Sequence, residues 1–386
     1  MPEEELNKLV EIWDNREYEI NQLSLPESPE EHKERKKNEN RHKNILEDIF
    51  FLEKQFFEDY ELNSHERFKE IFLKWLNQFN GKVEFNDDEI LNTEKRYAFI
   101  LARNIIFINR EQILSLINEV WNRIKREFLR IESKNSNEPI FKLIFKTEIV
   151  LNELNFSIFV PLSDSSHFME FRHHCLPSET KEKYVIPCID RLMLPLEASA
   201  EELLEIEKES YKNKKNLFII EDFAGSGTTA FNKIKRIIEK YDFRNVFFCP
   251  YIITITAKKK INNLISVANK LNKNFKIISG IIIGDEHSIE GDEGLRPFQE
   301  GEKKALRSIS KNYFDKYFND NGYLYLDFNK SNPKQPTPLG FKNGGFAITL
   351  YSNCPNNSLP IIWCDLNGWI PLFRRSERYA KRLKND

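Results

Sequence analysis

Two adjacent carboxylates, Glu221 and Asp222, end an apolar run and stand directly before a loop of small residues, in the segment LFIIEDFAGSGTTA. The run predicts a strand, and the apolar residues from Phe231 onward fall at helical spacing. Glycines let a backbone approach a phosphate closely, and the N–H groups and dipole at a helix N-terminus attract anions. The segment therefore predicts an anion-binding loop next to a carboxylate pair.

The alternative is an ordinary strand-to-helix turn in which a threonine caps the helix and nothing binds. Two carboxylates beside such a turn would serve no obvious packing purpose. The sequence therefore favours the anion site over the plain turn.

Two enzyme families have segments similar to this one. Phe223 to Thr229 resemble the S-adenosylmethionine loop of DNA amino-methyltransferases, but no proline stands between Asp222 and Phe223. The catalytic tetrapeptide of those enzymes, an Asp, Asn or Ser followed by Pro-Pro and an aromatic, is also missing. Val246 to Phe248 run into Cys249 instead of the acidic residue that would hold a cofactor ribose.

The order of apolar strand, two acids, small loop and helix also resembles the type I phosphoribosyltransferases. This resemblance implies that Glu221 and Asp222 are catalytic, accepting hydrogen bonds from the ribose 2- and 3-hydroxyls directly or through a hydrated Mg²⁺. Carboxylates there would also stabilise the positive charge that develops when a bond at the anomeric carbon breaks. The same resemblance implies that a phosphoribosyl group is bound by Phe223, Ala224, Gly225, Ser226, Gly227, Thr228 and Thr229.

A further similarity covers roughly residues 86 to 386 and is most specific at Glu221–Thr229 and Asn353–Trp363. Through these segments the chain resembles one branch of that fold, the phosphoribosyltransferase-like family of bacterial conflict systems, which includes effectors encoded beside retron reverse transcriptases. This resemblance implies a role in antiphage defence, with a reverse transcriptase, its RNA–DNA product and a winged-helix protein as partners. Residues expected close to a bound base are Asn353, Asn356, Asn357 and Trp363, although packing and turn formation are the ordinary roles of such residues.

A second anion loop is predicted where the strand Phe156 to Val160 ends. Small polar residues after a strand can present N–H and O–H donors to a pyrophosphate, and Arg172 could bind the same phosphate. An ordinary polar turn and a surface arginine are the alternatives. The predicted loop comprises Ser163, Asp164, Ser165 and Ser166.

The elements that must position these residues are predicted from hydrophobic periodicity. Before Pro139 the apolar residues fall at helical spacing, and a polar linker is predicted over 132–138. After it, short apolar runs alternate with helical segments, which predicts an α/β fold with a mostly parallel sheet covered by helices. We expect a helical N-terminal extension over 1–85 and a phosphoribosyltransferase-like domain over 86–386, with a helical lead-in over 86–138 and an α/β core over 139–386.

Composition excludes several classes of protein. The 386 residues carry 58 basic and 60 acidic side chains, a net charge of −2, which argues against a nucleic-acid coat. The start lacks the pattern of a secretory signal, and no apolar stretch approaches the length of a membrane span. Five cysteines without a Cys-x-x-Cys pair are typical of free thiols in a reducing compartment, so we expect a cytoplasmic protein that does not contact membrane.

The leading hypothesis is therefore a phosphoribosyltransferase-like effector that binds a 5-phosphoribosyl compound or nucleotide with Mg²⁺ and cleaves or exchanges a bond at the anomeric carbon. The second is a nucleotide-sensing module of the same fold without catalysis. The third is an S-adenosylmethionine-dependent DNA amino-methyltransferase.

Overall fold

A computed structural model describes residues 65–83, 92–163, 167–176, 213–290, 298–317, 337–365 and 367–373 of the chain. Within these ranges, the α-helices are α1 His65–Asn77, α2 Glu94–Arg103, α3 Arg110–Ser136, α4 Ile140–Leu143, α5 Thr147–Asn155, α6 Phe168–Cys175, α7 Thr228–Lys240, α8 Ile255–Asn262, α9 Leu264–Lys270, α10 Glu300–Tyr317 and α11 Pro360–Trp363. The strands in the same ranges are β1 Lys82–Val83, β2 Asn92–Thr93, β3 Ile106–Ile108, β4 Ser157–Pro161, β5 Asn216–Ala224, β6 Asn245–Thr254, β7 Asn274–Ile277, β8 Ile281–Ile283 and β9 Ile348–Leu350.

The chain divides into two compact units. One is continuous and spans Arg110–Asp285. The other is discontinuous and combines Met1–Asn109 with Glu286–Asp386. The candidate residues around Glu221 belong to the continuous unit, which is therefore described first.

A parallel sheet forms the centre of the continuous unit, in the order β4-β5-β6-β7, with β8 also pairing with β6. Strands of parallel sheets are buried on both faces, so they are apolar at nearly every position instead of alternating. The sequence of β5 follows this rule from Leu217 to Ile220, where every side chain is fully buried. The predicted α/β class with a parallel sheet covered by helices is confirmed.

The two faces of β5 pack against different helices. Leu217 and Ile219 belong to a core cluster that includes Ile234 and Ile237 of α7. On the opposite face Phe218 stacks on Phe159 of β4 at 4.9 Å and on Phe247 of β6 at 4.6 Å between ring centroids, and its ring edge meets Phe128 of α3. Successive side chains of a strand point to opposite faces, so this alternation fixes the direction of the residues that follow.

The discontinuous unit has a core of its own, built on aromatic side chains. Trp75 of α1 is fully buried and donates its indole N–H to the carbonyl of Ile361 at 2.8 Å. Trp369 packs edge-on against Phe79 at 5.3 Å between ring centroids. Strand β3 pairs in parallel with β9, so that segments from the two ends of the described chain share one small sheet.

One predicted boundary was wrong. Helix α3 continues through Ser136, so no linker begins at Glu132. The apolar residues from Ile261 to Leu271 belong to two helices, α8 and α9, which meet at Asn263, and those from Ile277 to Ile283 belong to two strands, β7 and β8. Of the predicted N-terminal extension, residues 1–64 lie outside the described ranges, and the domain boundary at 85 stays a prediction. No helix in the described ranges combines the length and the apolarity that a bilayer span requires.

Candidate functional site

The candidate residues meet at the carboxyl edge of the parallel sheet, where the segments after β4, β5 and β6 leave the strands. Ligands of open α/β sheets bind at this edge. Ser163 follows β4, and β5 itself carries Glu221 and Asp222 near its end. Thr254 ends β6 and caps helix α8, accepting a hydrogen bond from the Ala257 N–H at 3.0 Å.

The two carboxylates lie inside strand β5 and not after it, because pairing with β6 continues through Ala224 and Ile253. They therefore point to opposite faces of the sheet. Glu221 shares the face of Ile219 and helix α7, whereas Asp222 shares the face of Phe218. Both are buried, with exposures of 7% and 4%.

The Glu221 carboxylate accepts two hydrogen bonds on the same oxygen. The Ser163 hydroxyl donates to Oε1 at 3.0 Å, and the Asp222 N–H donates to the same atom at 3.0 Å. Burial, followed by the charge of Asp222, raises the pKa of the Glu221 carboxyl to about 8, although these hydrogen bonds and the Lys233 ammonium act in the opposite direction. Glu221 is consequently mostly protonated at neutral pH until a positive charge approaches it.

Asp222 is held by His167, in the segment between β4 and α6. The backbone N–H of His167 donates to Asp222 Oδ1, and the imidazole Nδ1 of His167 lies 2.9 Å from Asp222 Oδ2. Burial raises the pKa of the Asp222 carboxyl against the opposing effect of this histidine. Burial lowers the pKa of His167, but its hydrogen bond to Asp222 and the charge of that carboxylate outweigh the burial, so the net shift is upward.

Tyr251 completes this arrangement from β6. Its hydroxyl donates to the His167 carbonyl at 3.3 Å, and burial, followed by the Asp222 charge, raises the pKa of that hydroxyl well above its ordinary value. Sequence reasoning missed both residues. The alternation of β5 could have shown that Asp222 faces away from Glu221, but no sequence pattern marks which side chain meets it.

The loop after the carboxylates rests on helix α8. The Thr254 hydroxyl donates to the Gly225 carbonyl at 2.6 Å. Gly227 has a φ of +67° and is the N-cap of α7, and a Cβ there would lie 2.9 Å from Ala257 Cα. Only glycine fits this position without strain, for both reasons.

The N-cap of α7 is Gly227, which has no side chain to offer, although the Thr228 N–H donates to Ser226 Oγ at 3.4 Å. The threonine cap of the alternative is therefore wrong, since Thr228 is the first residue of the helix, whereas anion binding by the loop stays a prediction. The Ser226 and Thr228 hydroxyls lie 3.4 Å apart, and the Lys260 ammonium of α8 donates to Thr228 Oγ1 at 2.7 Å. The first N–H groups of any helix have no intrahelical acceptor, so an anion would find donors here.

The remaining residues of the predicted phosphoribosyl loop lie around this turn. Phe223 and Ser226 are half-buried, Ala224 and Gly225 are buried, and Thr229 is exposed. Lys233, one turn into α7, donates to the Leu162 carbonyl at 3.2 Å and so connects this helix to the end of β4.

Of the predicted second anion loop, Ser163 lies beside Glu221, while Asp164, Ser165 and Ser166 lie outside the described residues. Arg172 is half-buried on α6, and its buried Nε has no hydrogen-bond partner among the described residues. Its predicted contact with a phosphate stays a prediction.

The predicted base-proximal residues belong to the discontinuous unit. Trp363 is buried and donates its indole N–H to the Ser358 carbonyl at 3.1 Å. The Asn357 side-chain amide donates to the Phe341 carbonyl at 2.9 Å. The Phe341 N–H in turn donates to the Asn356 carbonyl at 2.7 Å. Asn353 donates its backbone N–H to the Leu350 carbonyl at 3.2 Å. These contacts stabilise turns, and a role toward a base stays a prediction.

The donor set at the sheet edge fits a hydrated Mg²⁺ better than a tightly coordinated metal. The described residues include no group of three or more His, Cys, Asp or Glu side chains that could hold a metal ion. Both hydrogen bonds to Glu221 fall on Oε1, and carboxylate oxygens are ligands that Mg²⁺ prefers. Glu221 could therefore contact Mg²⁺ that a ligand brings with it.

Comparison with protein families gave one match, to a family model described as PRTase-CE, over residues 72–375. The match includes both carboxylates, the glycine loop and the Asn353–Trp363 segment. Neither the curated proteins nor the solved structures gave a match.

Proposed function

Because the chain belongs to the phosphoribosyltransferase-like PRTase-CE family, we propose that it binds a 5-phosphoribosyl compound with Mg²⁺ at the carboxyl edge of its parallel sheet. The observation that carries this proposal is the glycine-capped N-terminus of α7, which follows shortly after the buried carboxylates of β5. In the proposed complex, the 5-phosphate lies at the first turn of α7 and the ribose lies toward Glu221.

The proposed reaction cleaves or exchanges the bond at the anomeric carbon of that ribose. The breaking bond leaves positive charge on the sugar ring, and a buried carboxylate stabilises such a charge strongly because few water dipoles screen it. Glu221 suits this role, since burial raises its pKa more than the Lys233 ammonium lowers it, so an additional positive charge beside its carboxylate would be stabilised. When bound, Mg²⁺ would add positive charge beside the phosphate groups and the ribose hydroxyls.

The two carboxylates then have different tasks. Glu221 has a carboxylate oxygen that accepts neither of the hydrogen bonds described above, so it is the better candidate for contact with a ligand. Asp222 uses both oxygens on His167 and thereby holds the segment that leads into α6. We propose that Asp222 supports the reaction mainly by fixing this segment.

The test of turnover is incubation of the purified chain with phosphoribosyl pyrophosphate, Mg²⁺ and labelled bases or nucleotides, followed by chromatography. We expect wild type to release pyrophosphate or free base, and Glu221→Gln to lower the rate at least about 100-fold, as the loss of a charge that stabilises a transition state does. The exposed Asp242→Asn, which also removes one carboxylate, serves as the control. Unchanged turnover in Glu221→Gln would refute the catalytic role.

Binding measurements beside the turnover assay distinguish an enzyme from a nucleotide sensor of the same fold. Calorimetric binding of a phosphoribosyl compound without product under any condition would favour the sensor. A thermal shift with S-adenosylmethionine, and none with phosphoribosyl compounds, would favour the methyltransferase.

We also propose that the chain acts as an effector in antiphage defence and is restrained by partner components. Its family membership and its resemblance to retron-associated effectors support this role. Expression of wild type and Glu221→Gln in bacteria, with and without a reverse transcriptase, its RNA–DNA product and a winged-helix protein, tests it. We expect toxicity from wild type alone, relief by the partners and no toxicity from the variant; harmless wild type in infected and uninfected cells would contradict it.

A further inference from the structure

Helix α8 contacts the glycine loop on a single face. Thr254, Ala257 and Lys260 are spaced by three residues, which places them on adjacent turns of that face. In the same order they meet Gly225, Gly227 and Thr228, through a hydrogen bond, a close backbone approach and a second hydrogen bond. The loop at the start of α7 is therefore fixed by the neighbouring strand–helix segment as well as by its own.

The third contact brings a positive charge to the first turn of α7. The Lys260 ammonium lies 2.7 Å from Thr228 Oγ1, and no ion pair involves Lys260 in the part of the chain that the structure describes. An ammonium has three N–H donors, of which the bond to Thr228 uses one.

This placement has two opposite electrostatic effects. Lys260 lies in the last turn of α8, where the dipole of its own helix favours a cation, but it also lies beside the first turn of α7, where the positive end of that helix's dipole disfavours one. A phosphate at the loop would interact favourably with both the ammonium and the dipole, because a charge-assisted hydrogen bond adds to the backbone donors. The observed placement is thus the one that a phosphate-binding loop would use.

We propose that Lys260 is a further phosphate ligand of this site, contributed by helix α8, and that it makes the site select phosphorylated sugars and nucleotides over unphosphorylated sugars and nucleosides. The inference rests on the proposed function, since it places the 5-phosphate at the same loop. It adds a residue that the glycine-loop pattern does not contain. The loop itself has no basic residue, and a lysine in the neighbouring helix would supply the positive charge that a phosphate dianion requires.

The chain offers a matched control in the preceding residue, Lys259. Lys259 has the same charge and lies in the same helix, but it is exposed and has no described contact with the loop. Lys260→Met and Lys259→Met therefore remove the same charge from positions that differ in their distance from Thr228. Lys260→Arg keeps the charge. Lys260→Gln is a second neutral variant, which retains a hydrogen-bond donor and replaces the methionine variant if that variant fails to fold.

The experiment measures the Kd of ribose 5-phosphate and of phosphoribosyl pyrophosphate by calorimetry, with ribose as the unphosphorylated probe. We expect Lys260→Met and Lys260→Gln to weaken binding of both phosphates about 10- to 100-fold, in line with the loss of one charge-assisted hydrogen bond. Lys259→Met should bind like wild type, Lys260→Arg should keep most of the affinity, and wild type should bind ribose far more weakly than ribose 5-phosphate.

The possible failures are distinguishable. If wild type binds the phosphates and the Kd values of Lys260→Met equal those of Lys259→Met, the inference is wrong and the proposed function stands. If Lys260→Met only lowers the melting temperature and leaves the Kd unchanged, Lys260 is structural, which also overturns the inference. If wild type binds neither phosphate, the proposed function fails and the inference fails with it.

Discussion

At the residue scale, Glu221 is unusual because a buried acid with a raised pKa opposes folding as it ionises. An unfolded glutamate loses its proton near pH 4.5, whereas Glu221 in the folded chain holds its proton to about pH 8. Between these values the folded state binds more protons than the unfolded state, so the free energy of unfolding falls as pH rises. Each unit of pKa difference corresponds to about 1.4 kcal/mol.

This difference gives a prediction for Glu221→Gln in the absence of ligand. The melting temperature of wild type should fall more than that of the variant between about pH 5 and about pH 8, because glutamine has no proton to lose. Thermal unfolding at several pH values measures this. Glu239→Gln, an exposed change on α7, should follow wild type, and parallel pH profiles for wild type and Glu221→Gln would contradict the assignment.

His167 and Asp222 form a second buried pair whose loss should be costly. His167→Ala leaves the Asp222 carboxylate buried with only its hydrogen bond from the backbone, and removal of one partner of a buried pair costs about 3–5 kcal/mol. Urea unfolding measures the change. His174→Ala, an exposed position on helix α6, which begins directly after His167, should cost less than about 0.5 kcal/mol. Equal stability of the two variants would show that the pair contributes nothing.

At the element scale, the turn between β5 and α7 depends on one glycine. Gly227→Ala forces a side chain into a positive φ and against Ala257, so we expect a loss of at least about 1–2 kcal/mol and weaker phosphate binding. Gly301→Ala is the matched control, because a Cβ there meets nothing within 4 Å in helix α10, and it should stabilise by roughly 0.5–1 kcal/mol. Urea unfolding of both variants measures these changes. An unchanged free energy of unfolding in Gly227→Ala would contradict the description of this turn.

The elements also show how far the sequence alone could lead. The apolar run before Glu221 and the periodicity after Phe231 were enough to predict the strand, the loop and the helix in the right order. The end of β5 was not predictable, because it depends on pairing with β6 as far as Ile253 and not on local residue types. The same holds for the contacts of His167, Tyr251 and Lys260, whose partners lie on other elements and leave no periodic signal.

At the scale of the whole molecule, the four described thiols are shielded inside the two units. Cys175, Cys249, Cys354 and Cys364 are buried and form no disulfide with one another. Burial raises the pKa of Cys175 to about 12, which keeps its sulfur in the unreactive thiol form. The reducing compartment expected from the sequence stays a prediction.

This shielding predicts how the chain reacts with a thiol reagent. In a Cys188→Ser variant, which removes the cysteine outside the described residues, we expect almost no reaction with Ellman's reagent under native conditions. Four thiols per chain should react after denaturation in guanidinium. Fast reaction of the native variant would show that at least one of the four positions is accessible.

The pairing of β3 with β9 sets an order of events during synthesis. Ile106 cannot pair before Ile348 has been synthesised, whereas every residue of the continuous unit has been made once Asp285 is complete. Since chains elongate at roughly 5–20 residues per second, the unit that carries Glu221 and the glycine loop has several seconds in which to fold before the other can close. A chain that stops after Asp285 would therefore contain all residues of the candidate phosphate site, whereas the core of the discontinuous unit could not form.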